Sequence, residues 1–162
     1  MTVGTRIPSL GPRGEGWVAL QFVLLGAIAV AGWLWGGAWS GIARDALLVV
    51  GGLLIIGGFA LAFLGVRDLD RSLSALPRPT NQAVLVSHGV YRQLRHPIYA
   101  GLIVAAIGWS LITASLAALA LALGLATVLD LKSRREEVWL RERFPDYVAY
   151  ATRTKRFMPS LY

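Results

Sequence analysis

The residues best suited to chemistry in this chain of 162 residues lie between Ser87 and Gly101, in the sequence SHGVYRQLRHPIYAG. This stretch has two arginines, two tyrosines and both histidines of the chain, His88 and His96. An arginine can bind a carboxylate through two parallel hydrogen bonds, and a tyrosine ring attracts a cation to its face. Polar residues at this density, directly before an apolar segment that begins at Ile98, predict a binding site at a membrane surface.

A second polar group, Glu136 and Glu137, lies beyond the next apolar segment. A glutamate suits hydroxyl or ammonium groups, which complements the arginines of the first stretch. Taken singly, these residues also have simpler interpretations. The tyrosines suit an aromatic belt, the arginines suit lipid-facing positions, and the glutamates balance neighbouring arginines on a solvated helix. Only the combination of the two groups indicates a site.

Composition is typical of a membrane protein. Hydrophobic residues make up 56% of the chain and charged residues 15%, with a mean hydropathy of +0.58. The chain has no cysteine, which excludes disulfides, thiolate metal sites and a cysteine nucleophile. Two histidines are too few for a persuasive metal site, so we expect none. The net charge of +7 comes from cations that flank apolar segments, so we expect anionic lipids, and not nucleic acid, as partners.

The apolar segments predict an all-α polytopic membrane protein with four transmembrane helices. Trp17–Trp39 and Ala46–Val66 hold 23 and 21 uncharged residues, each enough to cross a hydrocarbon core of about 30 Å. Ile98–Leu129 holds 32 uncharged residues, too many for one upright crossing. We therefore expect a helical hairpin there, with its turn near Thr113–Ser115.

The distribution of charge predicts the orientation. With a hairpin at 98–129, all Lys and Arg residues except Arg44 fall on one side of the membrane, which the positive-inside rule makes cytoplasmic. A single crossing would place the C-terminal cations outside. We expect the chain in the inner membrane of the cell, with both termini and the site facing the cytoplasm.

Three regions follow from these spans. Residues 1–16 form a cytoplasmic leader, disordered or lying on the surface, and residues 17–66 form the first two transmembrane helices. Residues 67–162 form a catalytic core, which consists of an interfacial linker, the hairpin at 98–129 and a cytoplasmic C-terminal helical cap at 130–162.

The polar parts of this core have helical patterns of their own. In the linker, Leu69, Leu73 and Leu76 predict an amphipathic helix on the membrane surface. The cap pattern predicts a helix that is interrupted at Pro145, a second short helix, and an ordered tail that docks back on the site. Because linker and cap leave the membrane at adjacent ends of the hairpin, we expect them to meet.

Four short motifs follow one another in the second half of the chain. HGVYRQLRHPIYAG at 88–101 is followed by EEVWL at 136–140, and then by FPDYVAY and RFMP. This series resembles the isoprenylcysteine carboxyl methyltransferase and phospholipid methyltransferase superfamily, over roughly residues 65–159. The resemblance implies an integral-membrane enzyme that uses S-adenosylmethionine without a Rossmann domain. The sequence agrees, since no GxGxxG motif follows a strand-like run.

The resemblance also implies which residues hold the cofactor. Those expected to bind S-adenosylmethionine are His88, Gly89, Tyr91, Arg95, His96, Pro97, Tyr99, Glu136, Glu137, Tyr147 and Tyr150. Those expected to act in catalysis are Arg95, His96 and Glu137. One departure is Pro145, where the superfamily usually has Gly after the Phe, and this leaves the placing of Tyr147 open.

Methyl transfer from a sulfonium is an in-line displacement, so the protein contributes mainly by aligning nucleophile, carbon and sulfur. A carboxylate acceptor needs no base, whereas an amine must lose a proton, for which His96 or Glu137 is the candidate. We expect a lipid-like or membrane-partitioned acceptor. O-, N- and S-methylation stay open, and so does the oligomeric state.

Two other functions stay open. One is an NADPH-dependent membrane reductase, because sterol reductases carry a similar RHP-Tyr-Gly pattern. They usually have Asn before that Tyr and Glu after that Gly, where this chain has Ile98 and Leu102. The other is a non-catalytic membrane protein whose basic face binds anionic lipid.

Overall fold

The fold is built from helices. The computed structural model of the chain describes residues 7–72, 74, 76–79 and 83–158. Its α-helices are α1 Glu15–Leu34, α2 Gly41–Leu69, α3 Pro97–Ile112, α4 Leu116–Arg143 and α5 Tyr147–Arg153. Two short 3-10 helices, Asp70–Ser72 and Gly89–Arg92, lie between α2 and α3. Within the described residues the chain forms no strand, so the predicted all-α class is confirmed.

Three of these helices, α1, α2 and α4, are long and apolar enough to cross a membrane. Helix α3 is apolar but has only 16 residues, which corresponds to about 24 Å against a hydrocarbon core of about 30 Å. The helices thus satisfy the length criterion for three crossings. The fourth crossing stays a prediction.

The predicted hairpin turn at 113–115 is confirmed, because α3 ends and α4 begins on either side of it. Ser115 is the N-cap of α4, and its hydroxyl oxygen accepts a hydrogen bond from the Ala118 N–H at 3.2 Å. The same hydroxyl donates to the Ala31 carbonyl at 3.2 Å. The turn is therefore fixed against α1.

Helix α4 joins the apolar hairpin arm to the polar cap without a break. The residues along it change from apolar to charged at Asp130, yet the helix continues to Arg143. It ends before Pro145, as predicted, because a proline disfavours helical backbone at the residue that precedes it. The second short helix of the cap is α5. The two glutamates thus stand on a rigid extension of the hairpin.

Two helix boundaries differ from the prediction. Helix α1 ends at Leu34 and not near Trp39. Helix α2 begins at Gly41 and so includes the exposed residues Arg44 and Asp45, which lie before the predicted start of the second span at Ala46. Charged side chains near the end of a membrane helix can keep contact with water, so the helix can include them.

The predicted amphipathic helix in the linker is wrong. Helix α2 continues through Leu69 and stops there, because Asp70 has a positive φ of 42°, which does not fit a right-handed α-helix. Leu73 lies outside the described residues. Leu76 lines a cavity instead of a membrane surface. A leucine pattern cannot distinguish these two apolar environments.

The described part of the leader is ordered against the linker. The Trp17 indole N–H donates to the Pro8 carbonyl at 3.1 Å. The backbone N–H of Arg78 donates to the Arg13 carbonyl at 3.3 Å. The leader therefore supports the linker and is not disordered over these residues.

Helices α2 and α3 pack closely along a row of glycines. A Cβ at Gly51 would lie 2.8 Å from the Gly108 carbonyl oxygen, and one at Gly58 would lie 2.6 Å from the Gly101 carbonyl oxygen. On each helix the glycines are seven residues apart, which is two helical turns. Small residues at this spacing let two membrane helices approach to backbone contact. The same row continues to Gly65, which lies against Pro97.

This packing brings four helix ends together. The start of α1, the end of α2, the start of α3 and the polar end of α4 all border one cavity. At the other end of the bundle, the Trp39 indole N–H donates to the Leu111 carbonyl at 2.7 Å, and the Gly37 N–H donates to the Thr113 carbonyl at 3.0 Å. The fold therefore gathers the polar segments at a single end.

Candidate functional site

A cavity of about 250 Å³ lies at the polar end of the bundle. Ligand pockets in proteins span roughly 300–1,000 Å³, so the volume of this cavity is close to that of a pocket for a small molecule. Its polar wall includes Tyr91, Tyr99, Glu136, Tyr147 and Tyr150. Its apolar wall includes Val18, Phe22, Val66, Leu69 and Leu76. Polar and lipid-like surfaces thus face each other across one space.

The first motif enters the site through a turn that requires glycine. Gly89 has a φ of 57°, and a Cβ there would collide with the Asp68 carboxylate. That carboxylate accepts a hydrogen bond from the Val90 N–H at 2.9 Å and another from Arg67 Nε at 2.9 Å. The turn is therefore fastened to the end of α2.

Tyr91 and Tyr150 form a joint part of the wall. The Tyr150 hydroxyl donates to the Tyr91 carbonyl at 2.8 Å, and the Tyr91 hydroxyl donates to the Gly65 carbonyl at 3.3 Å. Burial raises the pKa of Tyr150 to about 12 and raises the pKa of Tyr91 further. Both phenols are therefore neutral near pH 7 and act as hydrogen-bond donors.

Arg95, which lines the cavity, forms a largely buried ion pair with Glu137, which lies behind the wall. Arg95 Nε donates to Glu137 Oε1 at 3.0 Å, and Arg95 Nη1 donates to the carbonyls of Ala151, at 2.9 Å, and Thr154. Arg156 Nε also donates to Glu137 Oε1, at 3.1 Å. Glu137 is only 2% exposed and does not line the cavity. Its charge is compensated from several sides, as a buried carboxylate requires.

The tail pairs with the first motif through its backbone. The Arg95 N–H donates to the Lys155 carbonyl at 2.7 Å, the Lys155 N–H donates to the Gln93 carbonyl at 2.9 Å, and the His96 N–H donates to the Arg156 carbonyl at 3.1 Å. The ring of Phe157, the first residue of the predicted docking tail at 157–159, lies 6.0 Å from the His96 ring, so the docking is confirmed at Phe157. Pro159, the last residue of the RFMP motif, lies outside the described residues.

His96 lines the cavity and lies next to the ion pair. Its ring is 6% exposed and stacks on the Tyr99 ring, with centroids 5.3 Å apart and planes 6° apart. Its Nε2 lies 3.4 Å from Glu137 Oε1, and its Nδ1 lies 3.8 Å from Glu136 Oε2. Glu136 Oε2 in turn accepts a hydrogen bond from the Tyr99 hydroxyl at 2.8 Å. Both glutamates of the second motif therefore approach the first motif.

Tyr147 contributes a buried hydroxyl with no hydrogen-bond partner in the described part of the chain. The residue is 1% exposed and lines the cavity, and its ring packs edge-on against Tyr150 at 5.8 Å. Burial raises the pKa of Tyr147, so its hydroxyl keeps its proton. Buried donors in native proteins are usually satisfied by protein, water or ligand. This hydroxyl is free to bind a molecule in the cavity.

The predicted site residues divide into three groups. Seven line the cavity, namely Tyr91, Arg95, His96, Tyr99, Glu136, Tyr147 and Tyr150. Glu137 lies directly behind them. The structure does not bring the remaining three to the cavity: His88 is exposed, Gly89 forms the turn, and Pro97 is buried at the first position of α3.

Two buried polar residues of the cavity, Lys132 and Gln21, were not predicted. Lys132 is 2% exposed, and its Nζ donates to Gln21 Oε1 on α1 at 2.6 Å. A signal for Gln21 was present, because an amide side chain inside a predicted membrane span is a functional candidate by default. Lys132 had no comparable signal, since it is one cation among many in the cap. No group of three or more metal-ligating side chains occurs among the described residues.

Known proteins resemble this chain over most of its length. The cobalt-zinc-cadmium resistance protein CzcN of Cupriavidus metallidurans is 36% identical over 124 residues, which are 76% of this chain and 54% of that protein. The nickel-cobalt-cadmium resistance protein NccN of Alcaligenes xylosoxydans xylosoxydans is 32% identical over 146 residues, 90% of this chain and 63% of that protein. A probable protein-S-isoprenylcysteine O-methyltransferase of Oryza sativa subsp. indica is 32% identical over 114 residues, 68% of this chain and 60% of that protein.

The chain spans less than two thirds of the length of these relatives. The family model for phospholipid methyltransferases matches residues 46–147, which contain both site motifs. Family and relatives indicate a methyltransferase, and the apolar helices make it an integral membrane protein. The superfamily resemblance seen in the motifs is thereby confirmed: the chain belongs to the phospholipid methyltransferase family.

Proposed function

We propose that the protein transfers a methyl group from S-adenosylmethionine to a lipid-like or membrane-partitioned acceptor. The observation that supports this best is the cavity, whose wall of tyrosines and Glu136 faces apolar residues of α1 and α2. A water-soluble donor suits the first surface, and a hydrophobic acceptor suits the second. The membership of the phospholipid methyltransferase family supports the same reaction.

The residues at the cavity fit S-adenosylmethionine. When bound, this molecule supplies an electrophilic methyl group on a sulfonium. The unpaired hydroxyl of Tyr147 offers a hydrogen bond, and the Glu136 carboxylate suits ribose hydroxyls or the ammonium group. The neutral ring of Tyr91 attracts a cation without adding a charge of its own. These three features together make the wall complementary to a polar cation.

The catalytic set Arg95, His96 and Glu137 stays part of the proposal, with distinct roles. Arg95 and Glu137 are bonded to each other and to the tail, so we assign them to positioning the wall. His96 lines the cavity and can accept a proton from an amine acceptor, whereas a carboxylate acceptor needs no base. The rigid wall aligns the reacting atoms, which is the main requirement of an in-line displacement.

The predicted site residues that do not line the cavity have structural roles in this proposal. Gly89 shapes the turn that carries Tyr91, and Pro97 starts the helix that carries Tyr99. His88 is exposed beside the turn. The functional unit then consists of the predicted catalytic core, residues 67–162, together with the parts of α1 and α2 that line the cavity.

We further propose four crossings of the inner membrane, with the cavity and both termini on the cytoplasmic side. The end of the bundle that carries the cavity also carries nearly all of the Lys and Arg residues, which favours the cytoplasmic side. Membrane lipids are then neighbours of the apolar wall.

The test is a methyl-transfer assay on membranes that contain the protein, with S-adenosylmethionine labelled in its methyl group. Lipid extraction and mass analysis of labelled material identify the acceptor. We expect label in the lipid extract with the wild-type protein and at least tenfold less with Glu136→Gln. Enrichment of NADPH over S-adenosylmethionine by the purified protein would instead favour the reductase. If the purified protein bound neither cofactor, a non-catalytic lipid-binding protein would be favoured.

A further inference from the structure

Lys132 carries a buried ammonium group that is only partly compensated. Its side chain is 2% exposed at the cavity, where Nζ donates one hydrogen bond to Gln21 Oε1 and lies 4.7 Å from the centre of the Tyr99 ring. An ammonium group has three N–H donors. Burying a charge costs several kcal/mol unless it is paired. The lysine therefore has capacity for a further partner.

No carboxylate oxygen of the described residues lies within 4 Å of this ammonium group. Glu136, the nearest glutamate along α4, accepts a hydrogen bond from the Tyr99 hydroxyl and lies one helical turn away. Arg95 gives the contrast within the same cavity, because its guanidinium, which is 12% exposed, is paired with Glu137 and two carbonyls. Of these two cations, only Lys132 has no carboxylate at ion-pair distance among the described residues, and Glu136 acts on it from farther away.

Gln21 adds a second donor at the same place. Lysine can only donate, so Gln21 must present its amide oxygen to Lys132, which leaves the amide N–H₂ group for an acceptor. That amide nitrogen makes no hydrogen bond to another described residue. A lysine and an amide donor, with one positive charge between them, suit a carboxylate better than a doubly charged phosphate.

The position of this pair favours the membrane side of the cavity. Lys132 is about 6 Å closer along α4 to the apolar end of the helix than Glu136 is. Gln21 stands on α1 between Val18 and Phe22, which belong to the apolar wall. A hydrocarbon chain on that wall would place its polar end at Lys132.

We propose that Lys132 and Gln21 form a subsite for a carboxylate of the molecule bound in the cavity, and that this carboxylate belongs to the membrane-partitioned acceptor. The inference rests on the proposed function, since it assigns the acceptor to a chemical class. The methionine part of the donor also carries a carboxylate, so the two sources must be separated. Because α1 lies outside residues 46–147, Gln21 would add a determinant that the family match does not contain.

The first arm of the test measures binding of labelled palmitate and of hexadecanol to the purified protein in nanodiscs of neutral lipid. These probes share a chain and differ in the carboxylate. We expect the wild type to prefer palmitate and Lys132→Met to lose about tenfold in palmitate affinity, as for one charge-assisted hydrogen bond, with hexadecanol unchanged. The exposed Lys155→Met is the matched control and should bind as the wild type does.

The second arm measures binding of S-adenosylmethionine and of its decarboxylated form. If Lys132→Met weakens binding of S-adenosylmethionine but not of its decarboxylated form, and palmitate binding is unchanged, the carboxylate belongs to the donor. The assignment to the acceptor is then overturned. Equal behaviour of all four probes in wild type and Lys132→Met overturns the subsite itself. Failure of the wild type to bind S-adenosylmethionine would refute the proposed function and leave the palmitate comparison valid.

A second variant guards against loss of folding. Gln21→Glu supplies Lys132 with an internal carboxylate, so we expect an unfolding midpoint at least equal to that of the wild type. The same variant should bind palmitate about tenfold more weakly, because the new carboxylate competes for the lysine. A purely structural lysine would gain stability without this loss. Unchanged palmitate binding by Gln21→Glu would contradict the subsite.

Discussion

The glycine row between α2 and α3 allows a sharp test with two adjacent residues. A Cβ at Gly58 would lie 2.6 Å from the Gly101 carbonyl oxygen and 2.7 Å from the Ala105 backbone nitrogen. A Cβ at Gly57 would meet no atom within 4 Å. To restore an ordinary contact of 3.4 Å, Gly58→Ala must move the two helices apart by about 0.8 Å. Overpacking of this kind costs about 1–3 kcal/mol.

Gly57→Ala is the matched control, because it removes the same flexibility without a clash. Replacing a helical glycine by alanine gains up to about 1 kcal/mol. Because both variants share this gain, they should differ by the overpacking cost alone, roughly 1–3 kcal/mol in the free energy of unfolding. The assay is reversible unfolding of the protein in mixed detergent micelles, followed by circular dichroism. Equal stability of the two variants would refute the close approach of α2 and α3.

Three further predictions concern the site. Glu137→Gln should cost about 3–5 kcal/mol in unfolding free energy, because it leaves largely buried cations without their carboxylate. Replacing its exposed partner Arg141 by Gln should cost less than about 1 kcal/mol. Equal losses in the two variants would contradict the buried network. Tyr147→Phe should keep the unfolding midpoint, since its hydroxyl has no described partner, yet weaken S-adenosylmethionine binding about fivefold or more in equilibrium dialysis; unchanged affinity would exclude that contact. Burial raises the pKa of Tyr150 from about 10 to about 12, so the stability that comes from its neutral form is complete below pH 10 and is lost as the pH rises through 12. This loss is worth roughly 3 kcal/mol. Tyr150→Phe should lack it when the free energy of unfolding is measured from pH 8 to 12.

Much of the helical framework could be predicted from the sequence. Long uncharged segments define helices because lipid leaves backbone groups no other partners. The turn at 113–115 followed from length alone, since 32 apolar residues exceed one crossing. The break at Pro145 followed from backbone geometry. These features depend on local composition, which a single sequence contains.

The contacts between distant segments could not be predicted in the same way. The glycine row has no meaning until α2 and α3 lie antiparallel, because seven-residue spacings also occur by chance. The pairing of Gln21 with Lys132 joins residues 111 positions apart. The sequence motifs did predict that Glu136 and Glu137 approach the segment at 88–101, but not that Glu137 would lie behind the wall. That distinction depends on which face of α4 turns toward the cavity.

The most direct test of the account is the affinity of the purified protein for S-adenosylmethionine, measured by equilibrium dialysis for wild type and two glutamate variants. Glu136 lines the cavity, whereas Glu142 is exposed on the same helix. The account predicts saturable binding at one site, a loss of about tenfold or more in Glu136→Gln, and wild-type affinity in Glu142→Gln. Absence of binding by the wild type, or equal affinity in both variants, would contradict it.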